Sequence, residues 1–149
     1  MYCSAMTMTS NLNSDRFAVR NAVTAIRNSF MRVDGRQLLV GGGAERRASV
    51  RVALNVPVTI TAADVDQGEI VPRFGEGSLC EGVCLDISLG GLGLIHPLPL
   101  PADFAIVRFD IPADDPVCLA VEVMWSNRSE DDSWTSGVRI IGLANLIDS

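Results

Sequence analysis

Apolar and polar side chains alternate along much of this chain, and the longest regular stretch covers residues 50–61. Six aliphatic residues there occupy every second position, with small or polar residues and one proline between them. Since successive side chains of an extended strand point to opposite faces, this period of two predicts a long strand with one buried face. Pro57 cannot donate a ladder hydrogen bond, so it predicts an edge position or a β-bulge.

The same period recurs in the rest of the chain, where turn signals separate the apolar stretches. It predicts further strands at residues 79–87, 92–95, 105–111, 117–125 and 134–140. Residues 64–77 are acidic and irregular and are predicted to be a loop, with space for a short strand at residues 69–71. Prolines at every second position of residues 97–101 predict a rigid extended connector.

Regularly spaced strands with no convincing helix among them favour an all-β fold. We expect a six-stranded antiparallel β-barrel, because closing the sheet removes its exposed edges, and a β-sandwich is the alternative. A chain of 149 residues is long enough for one domain with a sizeable core. Trp125 and Trp134 are assigned to the core of the last hairpin.

The chain divides into three predicted parts. Residues 1–43 form an N-terminal extension that is flexible or partly helical, residues 44–143 form the barrel, and residues 144–149 form a short tail. Within the extension, residues 1–14 lack periodicity and are expected to be disordered. Residues 15–31 carry apolar side chains near helical spacing, which predicts a short amphipathic helix that packs on the domain or contacts a partner.

The glycines at residues 41–43 predict a flexible hinge between the extension and the barrel. Met31 is an alternative start of translation. The residues before it lack the continuous apolar segment of a secretory signal, and no stretch reaches the roughly 18 to 20 apolar residues of a membrane helix. We therefore expect a cytoplasmic protein with no membrane span.

Charge is distributed unevenly along the chain. All 12 basic residues are arginines, and the segment up to Arg51 holds eight of them against three acidic residues, a net charge of +5. The remainder has four arginines against fifteen acidic residues, a net charge of −11. Because an acidic surface repels the phosphate backbone, a long nucleic acid is not expected as a partner. A small anion held by arginines at the basic end is compatible with this pattern.

Four cysteines are present, namely Cys3, Cys80, Cys84 and Cys118, and we expect them to be reduced thiols. Cys80 and Cys84 lie in one predicted strand about 13 Å apart, which is too far to chelate one metal ion. The single histidine, His96, adjoins the proline-rich connector and is assigned to the surface. No nucleophile and base stand together in the sequence, so neither a cofactor nor an enzymatic activity is expected.

One polar stretch, Asp86-Ile-Ser-Leu-Gly-Gly91, separates two apolar strands. On an extended chain the side chains of Asp86 and Ser88 leave one face, whereas the apolar residues 85, 87 and 89 leave the other. One interpretation is a turn whose aspartate and serine bond their own backbone. The other is a polar surface with a carboxylate, a hydroxyl and accessible glycine backbone, arranged for a ligand.

A basic cluster containing Arg46, Arg47 and Arg51 precedes the first long strand. Guanidinium forks match the O6 and N7 acceptors of guanine and also phosphate oxygens. The carboxylate of Asp86 complements the donors on guanine's other edge. A solvated linker is the alternative interpretation of such a basic run.

Together, Arg47-Ala-Ser-Val-Arg51 and Asp86-Ile-Ser-Leu-Gly-Gly91 match R-x3-R and [D/N]-x-S-x2-G, and in this order they resemble the PilZ domain family. The similarity continues through residues 82–86, 91–94 and 121–139. It covers residues 45–143 and leaves the extension unexplained.

The resemblance implies a six-stranded β-barrel that binds cyclic di-GMP, a bacterial second messenger, and then alters the activity of a protein partner. The ligand residues implied are Arg46, Arg47, Arg51, Asp86, Ser88, Gly90 and Gly91. In this assignment the arginines clamp guanine and phosphate, the carboxylate and hydroxyl recognise the base edge, and the glycines give access to the backbone.

This resemblance also implies a role in signalling for motility, biofilm or exopolysaccharide control, as a monomer or a ligand-dependent dimer. The long C-terminal helix common in the family is nearly absent here, and no enzymatic module is attached, so the output would pass through a separate protein. The alternative function is a ligand-independent interaction module that uses the barrel and residues 15–31.

Overall fold

A computed structural model of the chain describes residues 9–13, 15–31, 52–73, 75, 77–112 and 115–147. These residues form eight strands and one helix. In chain order they are β1 (Thr9–Asn13), α1 (Arg16–Met31), β2 (Val52–Asp66), β3 (Glu69–Pro72), β4 (Leu79–Ile87), β5 (Gly91–His96), β6 (Phe104–Phe109), β7 (Val117–Arg128) and β8 (Trp134–Ile147).

Six antiparallel strands close a barrel in the order β2, β4, β5, β8, β7, β6 and back to β2. Closure is possible because β2 is long enough to pair with β4 along most of its length and with β6 over residues 59–63. The predicted all-β class, the six strands and the preference for a barrel over a sandwich are confirmed. No helix among the described residues is both long and apolar enough to cross a bilayer.

The barrel interior is filled by apolar, mostly aliphatic side chains from every barrel strand. Its largest fully buried members include Phe109, Ile60, Ile87, Leu92, Leu94 and Leu119. In β2 the buried positions alternate as the sequence predicts, with Val56, Val58 and Ile60 facing inward. The register against β4 shifts between Ala53 and Val56, so the bulge expected near Pro57 is present just before it.

The segment predicted as a loop at residues 64–77 is mostly a hairpin. β2 continues to Asp66, and the chain returns as β3 through Gln67 and Gly68, whose φ angles are 52° and 82°. Positive φ at both central residues is typical of the turn type that matches the twist of paired strands. The loop prediction is therefore wrong for this segment, and the short strand expected within it is confirmed.

Two terminal segments join the sheet, contrary to prediction. β1 lies in the segment expected to be disordered and pairs with β8 over all five of its residues and with β3 over two. The tail, expected to be separate from residue 144 onward, belongs to β8 as far as Ile147. The sequence of β1 carries no strand signal. This segment forms a strand because it pairs with the edges of β3 and β8.

The helix α1 covers nearly the segment predicted as helical. Asp15 accepts a hydrogen bond from the Phe17 backbone N–H at 3.0 Å, which caps the first turn. Val23 and Ile26 are fully buried in the cluster that fills the barrel. The helix therefore packs on the domain, while Phe17 remains 73% exposed. The predicted hinge at residues 41–43 lies outside the described residues.

Candidate functional site

The turn between β4 and β5 is held by one buried serine. The Ser88 backbone N–H donates to the Gly91 carbonyl at 2.9 Å. The Ser88 hydroxyl accepts from the Gly91 and Gly90 N–H groups at 3.1 and 3.3 Å. The Ile140 N–H donates to the Gly90 carbonyl at 2.9 Å and so ties the turn to β8. At Ser88 the geometry therefore agrees with the interpretation of this stretch as a turn whose polar side chain bonds its own backbone.

Gly91 lies directly against the backbone of β8. A Cβ atom at this position would lie 2.6 Å from the Val138 carbonyl oxygen. Since that neighbour is backbone, it cannot move aside as a flexible side chain would. Glycine is therefore required by the packing of the two strands.

A bulge in β4 changes which side chains face the core. Cys84 pairs with Leu94 and Asp86 pairs with Gly93, so Leu85 is the extra residue. Cys84 and Ile87 are both fully buried as a result. The prediction that residues 85, 87 and 89 share one face is wrong, because a bulge breaks the period of two. Burial, together with the charge of Asp86, raises the pKa of the Cys84 thiol to about 12.

Asp86 lies on the outer face of the barrel, next in sequence to the inward-facing Ile87. Its carboxylate lies over Gly93 of β5, and a Cβ at Gly93 would be 3.0 Å from one carboxylate oxygen and 3.2 Å from the other. The absent side chain at Gly93 thus creates the space that the carboxylate occupies.

An outward-facing row of residues crosses four neighbouring strands. Asp86 pairs with Gly93, Gly93 pairs with Gly137, and Gly137 pairs with Trp125. The indole of Trp125 lies over Gly137, where a Cβ would overlap the indole nitrogen. The two central glycines therefore carry a carboxylate at one end of the row and an aromatic ring at the other. We call these four residues the glycine row.

Trp125 was expected in the core, and the structure shows it 50% exposed. Val123 pairs with Val138 and Trp125 with Gly137, so Met124 is an extra residue that turns Trp125 outward. The strand period alone could not reveal this bulge. The signal that could have found Trp125 is Gly137 on the partner strand, since a large ring on a sheet surface needs a small neighbour.

An open depression of about 260 Å³ adjoins the glycine row. It is lined by Ser88, Gly90, Gly91, Met124, Trp125, Gly137, Val138 and Arg139. The structure thus brings together three of the predicted site residues, all from the β4–β5 turn, and the glycine row places Asp86 at the edge of this region. Arg46, Arg47 and Arg51 lie outside the described residues, so their part in the site stays a prediction.

Arg139 is a second residue that the sequence analysis missed. It pairs across the strands with Gly91 on one side and with Glu122 on the other. Its Nη2 lies 2.5 Å from Glu122 Oε1. Arg139 lies within the predicted strand at residues 134–140, and the sequence does not show that this strand runs beside the motif turn.

His96, assigned to the surface, is only 2% exposed. Its Nδ1 lies 2.6 Å from the Leu98 carbonyl oxygen and its Nε2 lies 2.7 Å from the Ser136 hydroxyl. Because a carbonyl only accepts, Nδ1 carries the proton and Nε2 accepts from Ser136. The Ser126 hydroxyl then donates to the Ser136 hydroxyl, and the two oxygens lie 2.7 Å apart. Burial lowers the pKa of His96, and the bond to Leu98 opposes this shift.

The chemistry of the region around the glycine row suits recognition of a flat polar ring. A planar group can lie against the exposed part of the Trp125 indole, while a carboxylate accepts hydrogen bonds from its edge. Within the described ranges, no group of three histidine, cysteine or acidic side chains is placed to hold a metal ion.

Comparison with known families matches residues 45–146 to the model described as PilZ domain. A search of curated proteins gives no match.

Proposed function

Because the chain belongs to the PilZ domain family, we propose that it is a receptor for cyclic di-GMP that changes its interaction with a protein partner when the ligand binds. It would act in bacterial signalling in the cytoplasm, as a monomer or a ligand-dependent dimer, and without catalysis. The observation that carries the proposal is the open depression at the motif turn, next to a glycine row that ends in Asp86 and Trp125.

A guanine base matches this surface in shape and in polarity. Its edge presents N–H donors, which the Asp86 carboxylate can accept. The flat ring can enter the open depression beside the motif turn. Trp125 offers an aromatic face for stacking, a contact worth about 1–3 kcal/mol for a base.

The arginines of the motif complete the proposal from sequence alone. Arg47 and Arg51, with Arg46 beside them, would supply forks for guanine O6 and N7 and for phosphate oxygens. They precede Val52, and the neighbouring Ala53 pairs with Asp86. The pairing of Ala53 with Asp86, close in sequence to this segment, supports the assignment of both motifs to one site.

The experiment is titration calorimetry of the full chain with cyclic di-GMP, analysed for both affinity and stoichiometry. We expect binding by the intact protein and a large loss of affinity in Arg47→Ala and Asp86→Ala. Arg73→Ala is the matched arginine control, because Arg73 forms an exposed ion pair with Asp64 through bonds of 2.8 and 2.9 Å. No heat from the intact chain, or equal affinity in all variants, would refute the proposal.

A second function rests on the outer face of α1. Phe17 is 73% exposed, and Arg16 and Arg20 are exposed beside it. A basic surface with one large apolar side chain suits an acidic protein partner, bound whether or not nucleotide is present. Partner capture that is indifferent to cyclic di-GMP and lost in Phe17→Ala would favour this function over the first.

A further inference from the structure

Arg139 lines the depression on β8, directly beside Gly91 of the β4–β5 turn. Its Cα lies 3.9 Å from the position that a Cβ on Gly91 would take. Its backbone neighbour Ile140 bonds to Gly90, so the position of Arg139 is fixed relative to the motif turn. The side chain is exposed on the outer face of the barrel and can reach an anion in the depression.

The guanidinium is held by one partly exposed carboxylate. Arg139 Nη2 bonds to Glu122 Oε1, with the two side chains 59% and 32% exposed. An ion pair in such an exposed position contributes at most about 1 kcal/mol, so a better anion can displace the carboxylate. A phosphate is such an anion, because its oxygens match the arginine fork in pairs.

The spacing along β8 separates this arginine from the base-recognising surface. Arg139 follows Gly137 by two residues, which is about 7 Å along a strand. In a nucleotide the phosphate is displaced from the base by a comparable length. With a base stacked on Trp125, which lies over Gly137, a phosphate would therefore lie near Arg139.

We propose that Arg139 forms an anion subsite for a phosphate oxygen of the bound dinucleotide, and that Glu122 is the carboxylate that competes for it. This inference rests on the proposed function and assigns to the same site a contact that neither sequence motif contains. In the absence of ligand, Glu122 holds the guanidinium. On binding, a phosphate replaces Glu122 at the guanidinium of Arg139. Breaking the ion pair costs free energy, so Glu122 lowers the affinity for the ligand by that amount.

The test is calorimetric titration of the full chain with cyclic di-GMP at several salt concentrations. We expect Arg139→Gln to weaken binding about tenfold and to reduce the slope of log affinity against log salt by about one. Glu122→Gln should tighten binding about threefold, because the competing carboxylate is removed. Arg139→Lys, which keeps the charge and loses the fork, should fall between the intact chain and Arg139→Gln.

The matched control is the exposed ion pair of Arg108 and Asp110, with Nε and Oδ1 2.9 Å apart. Arg108→Gln on β6 and Asp110→Asn just after it make the same changes of charge at residues that do not line the depression. Both should bind as the intact chain does. Thermal unfolding of every variant confirms that the barrel is intact.

The outcomes separate the two proposals. If the intact chain binds and Arg139→Gln behaves like Arg108→Gln, the anion subsite is refuted and the receptor function stands. If Glu122→Gln still tightens binding when Arg139 is also glutamine, Glu122 acts by general repulsion and the competition is refuted. If the intact chain does not bind cyclic di-GMP, both proposals fall.

Discussion

The two ends of β5 solve the same problem in different ways. Each end buries a polar side chain, Ser88 just before the strand at 3% exposure and His96 at its last residue at 2%. The Ser88 hydroxyl finds its partners within three positions of itself, in the backbone of its own turn. His96 instead bonds to Ser136, which is 40 positions away on β8.

A buried polar group can therefore either shape a turn at a binding surface or join two strands of the fold. The local bonds of Ser88 shape a turn whose outer side stays open beside the depression. The long-range bond of His96 uses its hydrogen-bonding capacity to join β5 to β8. We therefore expect changes at the Ser88 end to alter ligand binding and folding together, and changes at the His96 end to alter folding alone.

Gly91→Ala should have the largest effect. The new Cβ would lie 2.6 Å from the Val138 carbonyl oxygen, so the backbone of β5 or β8 must shift. We expect a loss of about 3 kcal/mol in the free energy of unfolding, measured by urea denaturation, and loss of cyclic di-GMP binding. Gly90→Ala is the control, since a Cβ there meets nothing within 4 Å. Equal stability of the two variants would contradict the close approach.

His96→Leu should come next. It removes both ring nitrogens and leaves the fully buried Ser136 hydroxyl without its imidazole partner. We expect a loss of about 2 kcal/mol in the free energy of unfolding. The affinity for cyclic di-GMP should equal that of the intact chain at temperatures where the variant is folded. A matching loss of affinity would show that the two ends of β5 are coupled.

Ser88→Ala should be milder for folding and stronger for binding. The Gly90 and Gly91 N–H groups lose their acceptor, which costs about 1.5 kcal/mol of the free energy of unfolding. Because the turn then loses its fixed shape, we expect affinity for cyclic di-GMP to fall about tenfold. Denaturation and calorimetry on the same preparation measure both quantities. Unchanged affinity would mean that the turn is held sufficiently by its other bonds.

The smallest effect is the pH dependence that His96 introduces. Because the pKa of His96 is lowered in the folded state, the unfolded chain binds more protons below the ordinary value of 6.5. Stability should therefore fall as the pH decreases from that value and level off below the folded-state pKa. Subtracting the unfolding curve of His96→Gln, taken over the same pH range, isolates this contribution. Equal slopes for the two proteins would remove His96 as its source.

Strand positions were predictable from the sequence because the period of two survives wherever one face of a strand is buried. The motif turn was predictable because a serine followed by adjacent glycines, between two apolar strands, is typical of a turn. The facing of Leu85 and Trp125 was not, because one extra residue in a strand reverses the side on which its neighbours lie. β1 was missed because its pairing depends on edges contributed by distant strands, and His96 because its partner comes from β8.

The bulge at Met124 has a consequence for how this site can vary. The additional residue in β7 allows two consecutive side chains, Met124 and Trp125, to lie on the outer face beside the motif turn. Deletion of Met124 would leave Trp125 directly after the inward-facing Val123 and still opposite Gly137, so the indole would stay on the outer face. The site can therefore lose Met124 and keep its aromatic ring, whereas a substitution of Trp125 removes the ring in one step.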